Sequence, residues 1–480
     1  MGVSVESPAF NPGGNANEWL VVVVKIQITK YWKRVRSSFW FVPAAMAATA
    51  VGLAVVGVTV DETVTQWLAA NWGWTFKMEA KGASAVLETI AGSMITVAGV
   101  VFSMTLVVLS LASFQLGPRL LTNFMRDTST QVVLGTFIAT FLYCLFVLRT
   151  IRHAENAAFV PHLSVTLGVV LAVASIGVLI YFIHHVSISI QANVIAARIG
   201  KELNEKVDHL FPLHIGEGAR VPMDPPEASF FDEFNQDAQP VASGRDGYLQ
   251  LIDGDALLAL AIDEDLVVRL QRKPGNYIVA GCPLVLISPG NRVTDPLAKK
   301  VQSLFIMGHQ RTSDQDIEFL VNQLVEMAVR ALSPGVNDPF TAIASVDHLG
   351  SALCRLAARD MPSPYRYDSQ DQLRLIVRAD TYGELVDAAF DQIRQNSRSS
   401  AVVAIRLLDT IAGIARFVRR PEDRTTLLRH AKMIAGGARE DLPEGGDRRV
   451  AEARWRAVIE SFDAPLNTGP CGDDGRTRRP

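Results

Sequence analysis

Four long stretches without Asp, Glu, Lys or Arg alternate with short polar segments in the first half of the chain. They run from Phe39 to Val60, Thr89 to Pro118, Thr128 to Leu148 and Leu163 to Ile183. A helix needs about 20 apolar residues to cross the hydrocarbon core of a bilayer, and each stretch supplies them. The pattern predicts a transmembrane α-helical bundle over residues 39–190, with spans at about 39–60, 89–116, 128–148 and 163–183. The first stretch is too long and too far from the N-terminus for a secretory leader, and it lacks a cleavage signal. It reads as a retained span. Before it, residues 1–38 form a cytoplasmic N-terminal segment in which Trp19 to Arg36 mixes Val, Ile and aromatic residues with basic ones. That mixture fits an interfacial helix and, equally, an extension of the first span.

Past residue 190 the pattern changes. Residues 191–245 read as a helical extension of the fourth span, running to about Phe211 before Pro212, and then a linker rich in Pro, Gly and acids. Residues 246–290 read as a small β-rich module. Its strands are Gly247–Ile252, Val267–Leu270, Tyr277–Val279 and Leu284–Ile287, with a helix at Asp255–Asp263. The run Pro274-Gly275, Tyr277-Ile278, Gly281, Pro283-Leu284 resembles a barrel-sandwich fold of the lipoyl type. No lysine occupies a carrier hairpin, so no covalent cofactor is expected. Residues 295–462 are mainly helical: Ile317, Leu320, Val321, Leu324, Ala328 and Leu332 recur at helical spacing. A strand is expected at Leu373–Ala379, then a helix capped by Thr381 with Glu384. Residues 463–480 read as a disordered tail. The fold class is thus a membrane α-helical bundle followed by a cytoplasmic α+β region.

Charge sets the orientation. Lys25, Lys30, Lys33, Arg34 and Arg36 precede the first span, Arg119 and Arg126 lie between the second and third, and Arg198 and Lys201 follow the fourth. The other two loops hold only Lys77, Lys81, Arg149 and Arg152. By the positive-inside rule both termini are cytoplasmic, in a bacterial inner membrane. A net charge of -3 gives no whole-chain attraction for nucleic acid. The four cysteines form no CxxC pair and have no His at ligand spacing, so neither a disulfide framework nor a zinc site is expected. Glu6 stands where a myristoylated start needs Ser or Thr. No cofactor or metal ligand set emerges.

The second span carries the most chemistry. At about 100° per residue, Thr89, Gly92, Ser93, Thr96, Gly99, Ser103 and Ser110 fall within about 60° of a line through Thr96. Val100 and Val107 interrupt that side. Ile90, Met94, Val101, Phe102, Thr105, Val108 and Leu109 lie opposite, with Ala98 and Ala112 among them. Small and hydroxylated residues suit close helix packing, and they also suit a wetted pathway; both readings stand. Glu88 lies at the end of this line, as a cation-attracting carboxylate or as a solvated helix end. Gly135-Ala139, Thr136-Thr140 and Gly168-Ala172 are small pairs fit for helix contacts. No acid or base lies deep in a span, which speaks against a proton pump. His184 and His185 near the end of the fourth span are either a pH-sensitive pair or polar punctuation.

In the soluble half, Arg311, Asp314, Asp316, Asn337 and Asp338 are the polar groups nearest helix ends, where an anion or metal is sometimes held. Most have capping explanations, and no nucleophile–base pair is evident. Ser333-Pro334-Gly335-Val336-Asn337-Asp338-Pro339-Phe340 reads as a joint: Pro and Gly stop one helix, while Asp338 caps the next with Pro339 in its first turn.

Two stretches resemble a bacterial family of predicted membrane proteins filed as a domain of unknown function, number twenty-two fifty-four. One runs from Phe102-Ser103 through Ser113-Phe114-Gln115-Leu116-Gly117-Pro118-Arg119 to Leu134-Gly135-Thr136-Phe137 and Tyr143. The other is Arg311-Thr312 with Asp316, then Ala331 through Ala342. The resemblance implies membrane helices followed by a cytoplasmic domain, and no activity. The residues themselves favour a homo-oligomeric pore or transport unit gated from the cytoplasm. A membrane-bound scaffold or signalling protein, with a protein partner for its soluble region, is the alternative, and an enzyme is the weakest fit.

Overall fold

The computed structural model describes residues 40–71, 80–116, 127–151, 160–189, 191–211 and 226–463. The expected interfacial N-terminal helix and nearly all of the expected tail lie outside them. The chain divides into two compact units, residues 1–191 and 192–480.

Among the described residues the first unit holds four helices: α1 (Phe41–Asn71), α2 (Ala80–Leu116), α3 (Thr128–Thr150) and α4 (His162–Ser189). Each is long and apolar enough to cross a membrane. At 1.5 Å per residue α2 is about 55 Å long, which exceeds a hydrocarbon core of about 30 Å. It starts nine residues before the expected span, at Ala80.

The centre of the bundle is α3, which packs against the other three helices. Small residues allow this. A Cβ on Gly135 would meet Met46 Sδ at 2.6 Å and the Pro43 backbone at 3.2 Å, so α1 lies directly on this glycine. Gly168 of α4 similarly faces Leu87 of α2 at 3.1 Å. Phe137, Tyr143, Cys144 and Val147 of α3 are buried against these neighbours. Several polar groups inside the bundle are paired, as lipid favours, although the buried Ser164 hydroxyl is not. The Tyr143 hydroxyl donates to the Ser164 carbonyl at 2.9 Å, and Thr140 and Ser175 hydroxyls meet at 3.2 Å. Asp61 is fully buried and accepts from the backbone N–H groups of Leu163 (3.3 Å) and Ser164 (2.9 Å), capping the start of α4.

The second unit begins with α5 (Ala192–Leu210). The expected unbroken helix from the fourth span to Phe211 is therefore two helices. Ser187 to Ile190 concentrates Ser and β-branched residues, which are weak helix formers. The Gln191 N–H then turns back to the Ile188 carbonyl at 3.1 Å, a tighter i−3 bond. Part of the expected linker is also structured, as α6 (Ala228–Asp237) and β1 (Gln239–Ala242).

There follow β2 (Gly247–Ile252), α7 (Gly254–Asp263), β3 (Val267–Leu270), β4 (Tyr277–Ile278), β5 (Pro283–Ser288), α8 (Asp295–Ser303) and β6 (Phe305–Gly308). After them come α9 (Ile317–Ala331), α10 (Pro339–Ala357), β7 (Tyr365–Tyr367) and β8 (Leu373–Ile376). The chain closes with α11 (Tyr382–Asn396), α12 (Ala401–Ala415), α13 (Pro421–Asp441) and α14 (Gly445–Asp463). β2 to β5 and β8 sit where alternation predicts, whereas β1, β6 and β7 were not expected, and the assembly is not the lipoyl-like sandwich. A five-stranded sheet has the order β1-β5-β3-β8-β7, and a three-stranded sheet has the order β4-β2-β6. β8 pairs with β3 in parallel, Val268 opposite Leu375. Strands from the expected helical domain thus complete the sheet of the expected β module, burying Val268, Val285, Ile287 and Leu375 in one core. Pairing across about 100 residues leaves no mark on local periodicity.

Candidate functional site

The second span divides into two faces. Of the expected apolar side, Met94, Ala98 and Val101 are buried in the bundle, and Phe102 is exposed. Glu88, Thr89, Ser93, Thr96, Ser103 and Ser110 are all exposed on the protomer. A Cβ on Gly92 or Gly99 would meet nothing within 4 Å. The stripe thus faces away from its own bundle, with Val100 and Val107 exposed beside it. Thr89, Ser93 and Thr96 donate to the carbonyls of Ala85, Thr89 and Gly92 at 2.7, 2.7 and 2.8 Å. At the α3–α4 end, His185 Nε2 lies 2.8 Å from Asp127 Oδ2 and its ring stacks on Tyr181, whereas His184 is exposed.

In the soluble unit, Arg311 and Asp316 form a two-pronged ion pair. Nε reaches Oδ2 at 2.7 Å and Nη2 reaches Oδ1 at 2.9 Å. The same carboxylate accepts from Phe319 N at 3.1 Å and so starts α9. Asp316 is only 3% exposed, and burial pushes its carboxyl upward against the pull of Arg311. Gly275, at φ +92, lies over the pair; a Cβ there would approach Asp316 Oδ2 to 2.3 Å, so only glycine satisfies both the turn and the contact. Glu318 links this pair to a second centre, lying 3.6 Å from Arg311 and 3.7 Å from Lys273. Lys273 also pairs with Asp380, and with Glu384 at 3.5 Å. Burial disfavours the Lys273 ammonium, but these carboxylates outweigh it and raise its pKa. One network therefore ties the turn before β4 to the starts of α9 and α11.

Asn337 and Asp338 do not join that network. They lie in the exposed turn between α9 and α10, Asn337 at φ +48, a left-handed position that Asn tolerates. Asp338 accepts from the N–H groups of Phe340 and Thr341 at 3.2 Å each, and from the Thr341 hydroxyl at 2.6 Å. Its geometry is that of a cap. Asp338→Ala should lower the stability of the soluble unit by about 0.5–2 kcal/mol, the usual range for a lost cap, measured by urea unfolding of the detergent-solubilised chain.

Residues 36–413 match the family model described as Predicted membrane protein (DUF2254). The chain belongs to the DUF2254 family. Uncharacterized proteins of Mycobacterium bovis and Mycobacterium tuberculosis are similar to it, each 33% identical over 389 residues, 79% of this chain and 73% of theirs. No solved structure matches. In this DUF2254 chain the match takes in the four spans, both sheets and most of α12, and stops before α13. Lys273, Glu318 and Asp380 were not legible as partners of Arg311 and Asp316. Pro274-Gly275 marked the turn, but only the fold brings residues 273, 311 and 380 together. Among the described residues no cluster of His, Cys, Asp and Glu has metal-holding geometry.

Proposed function

We propose that this DUF2254 protein is a homo-oligomeric membrane unit in which the polar face of α2 lines a path for ions or small solutes, gated by the soluble region. The observation that carries this reading is the split of α2. Met94, Ala98 and Val101 of its apolar side are buried in its own bundle, while Gly92, Ser93, Thr96, Gly99, Ser103 and Ser110 face away from it. Four spans rarely enclose a path alone, so the reading requires several copies around an axis. Small residues allow close approach, and hydroxyls substitute for part of a solute's hydration. A ring of Glu88 carboxylates at one mouth would concentrate cations. The scaffold reading draws support from Thr89, Ser93 and Thr96, whose bonds to their own helix need no water.

The test is cysteine accessibility in a background lacking Cys144. Cysteines replacing Thr96, Ser103 and Ser110 should react with small hydrophilic thiol reagents in the membrane. Cysteines replacing Met94, Val101 and Val108 should not. Unreactive stripe positions, together with no flux from reconstituted liposomes, would replace the pore by the scaffold. The same reading puts the protein in the plasma membrane with both termini cytoplasmic, supported by the basic residues flanking the spans. Reporter fusions after Ala70 and Asn156 should then read as periplasmic, and fusions after Asp127 and Lys206 as cytoplasmic. The reverse pattern would overturn the orientation.

A further inference from the structure

The turn between α9 and α10 has an outward side that capping does not explain. Phe340 is 76% exposed and Val336 is 47% exposed, adjacent to the exposed Pro334 and Gly335. We propose that this tip, Ser333–Phe340, is a membrane-interface anchor whose Val336 and Phe340 side chains enter the headgroup region of the leaflet where α4 ends. The proposal is independent of the pore reading and needs only that α4 spans the bilayer.

Two observations support a lipid surface as the occupant. The first is that the tip satisfies its own backbone N–H groups, that of Gly335 excepted. The N–H groups of Val336 and Asn337 donate to the Ser333 carbonyl at 3.0 and 2.9 Å, and that of Asp338 donates to Ala331 O at 2.8 Å. Ser333 N–H and hydroxyl both donate to the Arg330 carbonyl, and the two prolines have no N–H to satisfy. The single charge in the segment, Asp338, is engaged by the first turn of α10. A loop with few unmet donors loses little on leaving water, and an exposed aromatic beside a β-branched apolar residue gains from the interface.

The second observation is where the tip lies within its own unit. α5 and α10 run side by side in the same direction. Gly200 lies against His348, so closely that a Cβ on it would sit 2.7 Å from the ring. Asp208 pairs with Arg355 at 3.2 Å and also with Arg359. The same register, carried back to the helix starts, puts Phe340 at the end of the unit where α5 begins. α12 follows suit, because Asp347 pairs with Arg406 at 2.5 Å and Gly350 faces Thr410. That brings the half-exposed Val402 to the same end. Ala192 follows Ser189 of α4 by three residues, a reach of roughly 10 Å even when fully extended. Val336, Phe340 and Val402 thus share the end of the unit at which its own chain begins, three residues after Ser189.

The test uses the full chain, with its native cysteines replaced, in nanodiscs of phosphatidylethanolamine and phosphatidylglycerol. An environment-sensitive fluorophore is attached to Phe340→Cys or Val336→Cys. As a control it is attached to Glu422→Cys, which is exposed at the opposite end, near α13's start. At the tip, emission should shift to the blue and be quenched by lipids carrying a nitroxide near the headgroup. Nitroxides at the acyl-chain terminus should quench less, and the Glu422 label should respond to neither. Introducing Phe340→Asp should abolish lipid quenching of the Val336 label. Tip labels quenched by aqueous iodide and not by nitroxide lipids would overturn the proposal. Labels shielded from both would overturn it too, because the tip would then be covered by protein.

Discussion

Asp316→Ala should lower the stability of the soluble unit by about 3–5 kcal/mol, the range for breaking a buried ion pair from one side. The substitution leaves the Arg311 guanidinium, 19% exposed, without its two-point partner. It also uncaps α9 and opens space beneath Gly275. Asp316→Asn should cost less, because an amide oxygen can still accept from Phe319 N–H. Replacing both partners, with Arg311→Met and Asp316→Leu, should recover much of the loss, since no unpaired charge remains buried. Urea unfolding in detergent of the parent chain, Arg311→Met, Asp316→Leu and the double variant completes the double-mutant cycle. A loss under about 1 kcal/mol for Asp316→Ala would mean that water reaches Arg311 and that the pair is a surface contact.

Ser103→Leu should reduce flux through reconstituted protein to the level of empty liposomes. Ser103 lies near the middle of the exposed α2 stripe, and a branched four-carbon side chain there would dry or fill a path formed where several copies meet. Val100→Leu, at an already apolar exposed position, should change flux far less. The oligomeric state separates the readings. Unchanged assembly with lost flux supports a path lined by Ser103. Loss of assembly alone would mark the stripe as a packing face, where extra volume costs contact.

The membrane half was legible because its cause is local. Hydrocarbon requires long uncharged helices, and small residues at Gly135 and Gly168 announce close packing that the bundle contains. The faces of α2 were legible for the same reason, since helical spacing alone separates Met94 and Val101 from Thr96 and Ser103. The caps Asp338 and Thr381 were equally clear, since each acts within three residues of itself; before α9 a Ser/Thr cap was expected over residues 312–316, and Asp316 takes that place. What stayed hidden was non-local. The parallel pairing of β3 with β8 joins distant segments, and the Lys273 network draws on residues 273, 318, 380 and 384. Neither leaves a periodic trace. The expected continuous helix failed for another reason: α4 ends at Ser189 and α5 starts at Ala192, with neither Pro nor Gly between them to announce the interruption.

The capping of α4 by Asp61 sets an order of events during synthesis. The two backbone donors it receives belong to residues 163 and 164, which a ribosome adding roughly 5–20 residues per second reaches roughly 5–20 seconds after Asp61. Throughout that interval α1 can already be threaded into the membrane while its capping contact to α4 does not yet exist. A nascent chain halted after α3 carries Asp61 without those donors. The first span, already packed on the third, thus waits for α4 to supply these two donors to its Asp61.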